Sequence, residues 1–233
     1  MRRLLVALLL AAQLPAGAFA AVPARVEITY AVFLGSMRIG EGRDVFQHDG
    51  RTYRVVSESK TAGLAAALYR LNIRRESQGR VTRAGLRPEA FTEERNGKPK
   101  RSAAFDWERK QATLVDGDNS QTVPLPDNSW DSTSFGYNFA FVPPEAAELA
   151  AHLTDGRRLK QYRYAVLGRE KLDTELGTLE TLHVKRLQLP EDKRAFEVWL
   201  AVDRHNMPVR IRYTEKDGTV FDSIATKVIF ADK

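Results

Sequence analysis

The sequence predicts an all-β protein, mainly antiparallel, forming a large curled sheet or barrel-like meander of about a dozen strands with one or two short helices. Three observations predict it. Apolar residues alternate with polar ones along most of the chain. Short turns built on glycine or asparagine separate the alternating runs at close intervals. Runs with a helical period are few and short.

The first strand places Val26, Ile28, Tyr30, Val32 and Leu34 on one face, and Glu27, Thr29, Ala31 and Phe33 on the other. Gly35-Ser36 turns the chain into a strand over 37–47, and His48-Asp49-Gly50 turns it again into 51–61. Both turns use residues that tolerate positive φ. Strands follow over 71–81, 87–96, 98–108 and 111–115, punctuated by Arg83-Ala84-Gly85, Asn96-Gly97 and Asp116-Gly117-Asp118. In the second half, 161–168, 177–189, 194–202, 208–215 and 219–230 repeat the pattern, the last two joined at Lys216-Asp217-Gly218. Connections this short demand antiparallel pairing, because a parallel crossover needs about a dozen residues or more.

Two stretches read as helical. Residues 63–69 are one turn rich in Ala and Leu. Residues 143–153 carry Pro144 near the first helical position, acids in the first turn and Gly156 beyond the end. Between the halves, 124–144 is rich in Pro, Asn, Ser and aromatics and reads as an ordered loop across an open end of the sheet. So many strands exceed what a flat open sheet tolerates, so the sheet must curl or fold over on itself.

The amino terminus has the three-part layout of a secretory signal: Arg2-Arg3, an apolar run over 4–12, and Ala18-Phe19-Ala20 before Ala21. The apolar run falls short of the roughly 20 residues needed to span a bilayer. The expectation is a leader over 1–20 and a single β domain over 21–233, exported to the periplasm without stable membrane insertion. The chain has no cysteine, so neither lipid attachment at a mature amino-terminal cysteine nor a disulfide framework is available. The formal net charge is +6, and loss of Arg2 and Arg3 with a leader lowers it by two. Basic residues cluster at Arg70, Arg74, Arg75 and Arg80, and at Arg95, Lys98, Lys100 and Arg101. Such clusters form solvated strand faces or meet anionic headgroups. Export separates the protein from nucleic acid, which is not an expected partner.

No catalytic constellation emerges. Ser57-Glu58-Ser59-Lys60 has the S-x-x-K spacing of penicillin-recognising enzymes, but it ends a strand and lacks partner motifs. His48, His152, His183 and His205 are scattered without ligand spacing, so no metal and no cofactor are expected. Acids adjoin tryptophans at Asp106-Trp107, Trp130-Asp131 and Glu197-Val198-Trp199 with Asp203. Asp106 and Trp107 must face opposite ways on a strand, whereas Glu197 and Trp199 share a face. A glycan hydrolase would use Glu197 with Asp203 or Asp131, its carboxyls within about 5 to 10 Å. The segment 130–139 packs four aromatics among hydroxyls and reads as a plug closing one end of the sheet, or as a binding lid. The candidate ligand-binding residues are Trp130, Phe135, Tyr137, Tyr164 and Trp199.

Several segments together resemble a bacterial family of exported proteins known as domain of unknown function 3108. They are Tyr30 with Gly35, Gly40 and Gly42; Gly63-Leu64, Leu68-Tyr69, Ser77-Gln78-Gly79-Arg80-Val81 and Gly85-Leu86-Arg87-Pro88; and Phe105-Asp106-Trp107. In the second half they are 170–172, 176–181, Trp199-Leu200-Ala201 with Asp203, and 207–211. The resemblance implies an envelope β-sheet protein and carries no catalytic residues; the chain departs from the family pattern most over 130–141. The readings that follow are, first, a periplasmic protein holding a lipid or other apolar ligand on its concave face, with an envelope structural or interaction protein with a packed core as the alternative, and a glycan hydrolase after both.

Overall fold

The computed structural model describes residues 22–188 and 192–231. The expected leader over 1–20 lies outside the described residues. The chain opens as a meander, β1 (Arg25–Leu34), β2 (Met37–His48), β3 (Thr52–Thr61), β4 (Asn72–Thr82), β5 (Gly85–Arg95), β6 (Lys98–Asp106), β7 (Gln111–Asp116) and β8 (Asn119–Pro124), with helix α1 (Gly63–Leu68) between β3 and β4. After β9 (Ser129–Asp131) and helix α2 (Ser134–Asn138), a second meander follows: β10 (Glu148–Thr154), β11 (Leu159–Thr174), β12 (Gly177–Arg186), β13 (Ala195–Ala201), β14 (Met207–Thr214) and β15 (Val220–Ala231).

All fifteen strands join one sheet in the order β8-β7-β6-β5-β4-β3-β2-β1-β15-β14-β13-β12-β11-β10-β9. The two meanders are therefore arms that meet where β1 pairs β15. Every pairing is antiparallel except β9 with β10, whose connection through α2 is long enough for a parallel crossover. Register shifts at Thr29/Tyr30, Val32/Phe33, Gln78/Gly79 and Val166/Gly168 mark bulges, which bend strands and increase twist. The sheet curls until the β9 edge lies against the inner side of β4 and β5: Trp130 Nε1 donates to Leu86 O at 2.8 Å and Ser77 Oγ to Asp131 Oδ2 at 2.6 Å. β8 and β9 do not pair, so the molecule is an open sheet folded over itself, barrel-like without closure.

Apolar residues fill three clusters. The central one joins Ile28, Tyr30, Phe46 and Val55 of the first arm to Met207, Val209 and Ala225 of the second. Another lies within the second arm around Tyr164, Val184, Val198 and Leu200, and the third beneath the outer strands of the first arm around Phe91, Phe105 and Leu114. The outermost strand β8 is polar and mostly exposed and ends in Pro124, features that blunt an open edge.

Two sequence expectations need correction. The helix expected over 143–153 is absent; Glu148–Thr154 is strand β10, paired with β11. Its Leu149, Ala151 and Leu153 also alternate, and packing that face into the second-arm cluster outweighs the helix preference of its alanines. The loop over 124–144 contains β9 and the five-residue helix α2, too short for any periodic signal.

Candidate ligand-binding site

The segment 130–139 is shaped by its own local hydrogen bonds. Asp131, wholly buried, accepts hydrogen bonds from the backbone N–H groups of Thr133 and Ser134, each at 2.9 Å, and from Ser134 Oγ at 2.8 Å, which sets the chain turning into α2. The hydroxyl of Ser77 donates to the same carboxyl, and Tyr53 Oη lies 3.0 Å from Ser77 Oγ, so the turn is anchored to β3 and β4. Burial pushes the Asp131 carboxyl above its usual range, and the hydrogen bonds oppose that shift. Phe135, Tyr137 and Phe139 are buried. Tyr137 stacks on Phe46 at 5.3 Å between ring centres and donates to Asp44 Oδ2 at 2.8 Å, while Asn138 Oδ1 accepts from Leu86 N. The segment closes one end of the curl.

Above it, the curl encloses a cavity of about 760 Å³, within the range of about 300 to 1,000 Å³ usual for small-molecule sites. Tyr30, Tyr137, Gly136 and Pro208 lie at its floor, where Tyr30 Oη donates to Pro208 O at 2.8 Å. Its two walls differ in chemistry. The second arm contributes an apolar patch, Tyr162, Tyr164, Phe196, Val198, Ile211 and Phe221, edged by Asp155, Arg157, Arg158, Arg186, Arg194 and Glu215. The first arm contributes Asp44, Ser57, Ser59, Arg75 and Glu93. Strand alternation produces this division, since each of these residues is the inward member of its strand.

Charge on the polar wall is organised around Glu93, whose side chain is 1% exposed. Arg75 Nε lies 2.7 Å and Arg95 Nε 2.9 Å from its oxygens. Burial opposes ionisation of Glu93, but Arg75 and then Arg95 outweigh it, so its pKa is lowered. Arg101 reaches Asp116 at 3.1 Å and, across the gap between the arms, Asp155 at 2.9 Å. At Asp44 the balance goes the other way: burial raises its pKa despite hydrogen bonds to Ser57 and Tyr137. Towards the open end Arg157, Arg158, Arg186 and Arg194 join Arg75, Arg95 and Arg101, so the lining holds seven arginines against four carboxylates, Asp44, Glu93, Asp155 and Glu215.

Of the candidate residues, Phe135, Tyr137 and Tyr164 line this cavity. Trp130 lies behind it, its ring 6.0 Å from that of Phe135 and its indole N–H held by Leu86 O. Trp199 is elsewhere. Phe196 and Val198 point into the cavity, so Glu197 and Trp199 face the other side of β13. There Trp199 stacks on His183 with centroids 4.2 Å apart, the Arg210 guanidinium lies over the Trp199 ring at 4.7 Å from its centroid, and the indole N–H is held by Glu170; Glu197 sits 2.9 Å from His183 Nε2. Glu197 is thus separated by the sheet from Asp131, which bonds inward-facing Ser77, and Asp203 is exposed in the turn after β13. The carboxylate pair a glycan hydrolase needs is not assembled from Glu197 and Asp131. Among the described residues, no group of three or more His, Cys, Asp or Glu is placed to hold a metal ion.

The sequence reading did not single out the inward arginines as site residues. Their clusters were visible, but Arg74 and Arg80 turn outward to pair with Glu58 and Glu76 and with Glu89, whereas Arg75, Arg95 and Arg101 turn inward. The usable signal was register: Arg75 alternates with Ile73 and Ser77, and Arg95 with Glu93 and Phe91.

The profile of the family described as Protein of unknown function (DUF3108) matches residues 27–224. The chain belongs to this family. The resemblance carried by the turn and strand-edge residues quoted above is thereby confirmed. In fold, the DUF3108 chain is similar to the crystal structure of a beta-barrel-like protein of domain of unknown function DUF1849 from Brucella abortus, with a TM-score of 0.60 and 9% identity over 91% of this chain and 99% of that one. A domain named for outer membrane lipoprotein sorting, from Vibrio parahaemolyticus, aligns over 89% of this chain and 85% of its own with 9% identity and a TM-score of 0.28, too low to carry weight. No curated protein matches the DUF3108 chain.

Proposed function

We propose that the protein is a non-catalytic envelope protein, exported on a leader over 1–20, whose single β unit over 21–233 holds a lipid-class amphipathic ligand inside the curl. The observation that carries this reading is the two-sided cavity. An apolar wall from β11, β13 and β14 suits an acyl or similar hydrocarbon body, worth about 25 cal/mol for each Å² of apolar surface it removes from water. The polar wall and the excess of arginine towards the open end suit an anionic head, which guanidinium groups bind bidentately.

Native mass spectrometry of the protein purified gently from periplasm, followed by solvent extraction, tests this reading. A stoichiometric lipid lost on extraction supports it. Phe196→Asp and Ile211→Asp, at half-buried positions of the apolar wall, place a charge there and are expected to lower uptake of a fluorescent fatty acid at least tenfold while the far-ultraviolet circular dichroism stays that of the parent. An apo mass that stays unchanged after incubation with envelope lipids refutes it. A second reading, an interaction protein of the envelope, is favoured by strand β8, whose outer edge is open to pairing with an extended segment of a partner.

A further inference from the structure

The end of the curl opposite the plug carries the most exposed apolar side chains described. Leu68 is 90% exposed, Tyr69 65% and Met37 60%. They are neighbours in the fold. α1 packs on β2, with Ala62 N donating to Ile39 O and Thr61 Oγ1 to Tyr69 O, and Met37 begins β2. This is also the open end of the cavity: β3 runs to it from Ser57 and Ser59, and β4 leaves it through Ile73, all lining residues. Phe221, 37% exposed, stands on the same rim, on β15, where it and Met37 flank Leu34 of β1.

Exposed cations accompany these side chains. Arg70 follows Tyr69, and Asn96 Nδ2 bonds Arg70 O, which brings the β5–β6 turn with Lys98 and Lys100 beside α1. Arg38 and Lys60 flank Met37 and α1. The carboxylates of the same turns are Glu41, which both Arg38 and Lys60 approach at 3.5 and 3.9 Å, and Glu94. Arg157 and Arg158, also at the opening, have no carboxylate within 4 Å among the described residues. Apolar side chains standing clear of the surface among exposed cations, of which Arg70, Lys98, Arg157 and Arg158 have no carboxylate within 4 Å among the described residues, match the layered chemistry of an anionic bilayer, where acyl carbon lies just beneath phosphate. A soluble protein partner would bury Leu68 equally well, but it would not require cations from both arms at the opening.

We propose that this rim docks on an anionic membrane surface, with Leu68, Tyr69 and Met37 entering the boundary between headgroups and acyl chains and the surrounding lysines and arginines meeting phosphates. Docked in this way, the cavity opens towards the bilayer, and a lipid passes between membrane and curl without crossing water. The transfer role rests on the lipid-cavity reading; the docking itself does not.

The test is sedimentation with vesicles of phosphatidylethanolamine and phosphatidylglycerol against vesicles of phosphatidylcholine alone, using the full mature chain. The wild type is expected to sediment with the anionic vesicles and to be released by salt. The double substitution Leu68→Glu and Tyr69→Glu, both on exposed positions, is expected to weaken that partition by about tenfold or more. The pair Arg70→Glu and Lys98→Glu should do the same through charge alone. Uptake of the fluorescent fatty acid from solution reads the cavity separately and should be unchanged in all four positions. Absence of wild-type sedimentation, equal partition onto both vesicle types, or unaltered partition of both double variants overturns the docking proposal. Loss of fatty-acid uptake in the wild type overturns the cavity reading and leaves the sedimentation result to stand alone.

Discussion

Replacing Asp131 tests how the plug is held. The carboxyl is inaccessible to solvent and receives four hydrogen bonds, from Ser77 Oγ, Ser134 Oγ, Thr133 N and Ser134 N, at 2.6 to 2.9 Å. Asp131→Ala removes every acceptor and leaves buried donors behind, at a cost of about 1 to 3 kcal/mol for each that stays unsatisfied. The Ser77 hydroxyl has Tyr53 Oη nearby and Ser134 Oγ can turn towards Asp131 O, while wild type itself bears the cost of burying the carboxyl. The expected net loss is about 3 to 5 kcal/mol, the scale of breaking a buried polar network. Asp131→Asn keeps one oxygen for the two backbone N–H groups and is expected to cost about 1 to 2 kcal/mol.

Urea unfolding followed by tryptophan fluorescence measures both. The sign of the pH dependence is a second check. Burial raises the pKa of the folded carboxyl above the ordinary 3.8, so wild type binds more protons folded than unfolded from about pH 4 upward, and stability from this group declines as pH rises through that window. The margin of wild type over Asp131→Asn is therefore largest at about pH 4 and narrows towards the folded pKa. A loss below about 1 kcal/mol for Asp131→Ala, or equal losses for both variants, refutes the reasoning.

Asp222 holds Arg210 at 2.6 Å and Arg212 at 2.7 Å; burial opposes its ionisation, but the two guanidiniums outweigh that and lower its pKa. This stability is present above about pH 4 and lost as pH falls through the lowered folded value, so Asp222→Asn should cost about 2 kcal/mol at neutral pH and progressively less in acid, by urea titration at each pH. Phe91, 1% exposed among Phe105 and Leu114, should cost about 3 to 5 kcal/mol when cut to alanine. At Gly79 a Cβ would meet Arg87 O at 2.2 Å and Pro88 Cα at 2.8 Å, so Gly79→Ala should lose more than about 2 kcal/mol, read from its thermal midpoint.

Much of the fold was legible because period two is a direct imprint of a sheet with one buried face. Val26, Ile28 and Tyr30 are buried as their alternation requires, and the turns at Asp49-Gly50 and Asn96-Gly97 lie where strands reverse. β8 was invisible because an edge strand with only Val123 apolar has no sidedness to read. β10 was misread because Pro, Glu and Ala describe a helix start equally well, and only pairing with β11 decides between the two. In the site, Glu197 and Trp199 share a face as expected, but alternation alone does not say which face is concave. Curvature and bulges decide that, and they turn Val198 inward and Trp199 outward. The same information sorts Arg75 from Arg74, one part of a charge network inside the curl and the other an exposed strand partner.

The seam between β1 and β15 has a consequence for how the chain assembles. Arg25 stands opposite Ala231 and Leu34 opposite Phe221, so the pairing with the greatest sequence separation lies at the middle of the sheet, while the two edges, β8 and β9, are neighbours in sequence. Each arm can zip strand by strand through local hairpins, but the contacts that unite them await the last strand, and long-range closure of this kind is slow. A polypeptide emerging amino terminus first would hold β1 as an unpaired apolar edge until the last strand has been made. The same geometry invites circular permutation: joining the paired ends and opening the chain at residues 125–128 converts the seam into a hairpin, and such a permutant should fold faster than its parent.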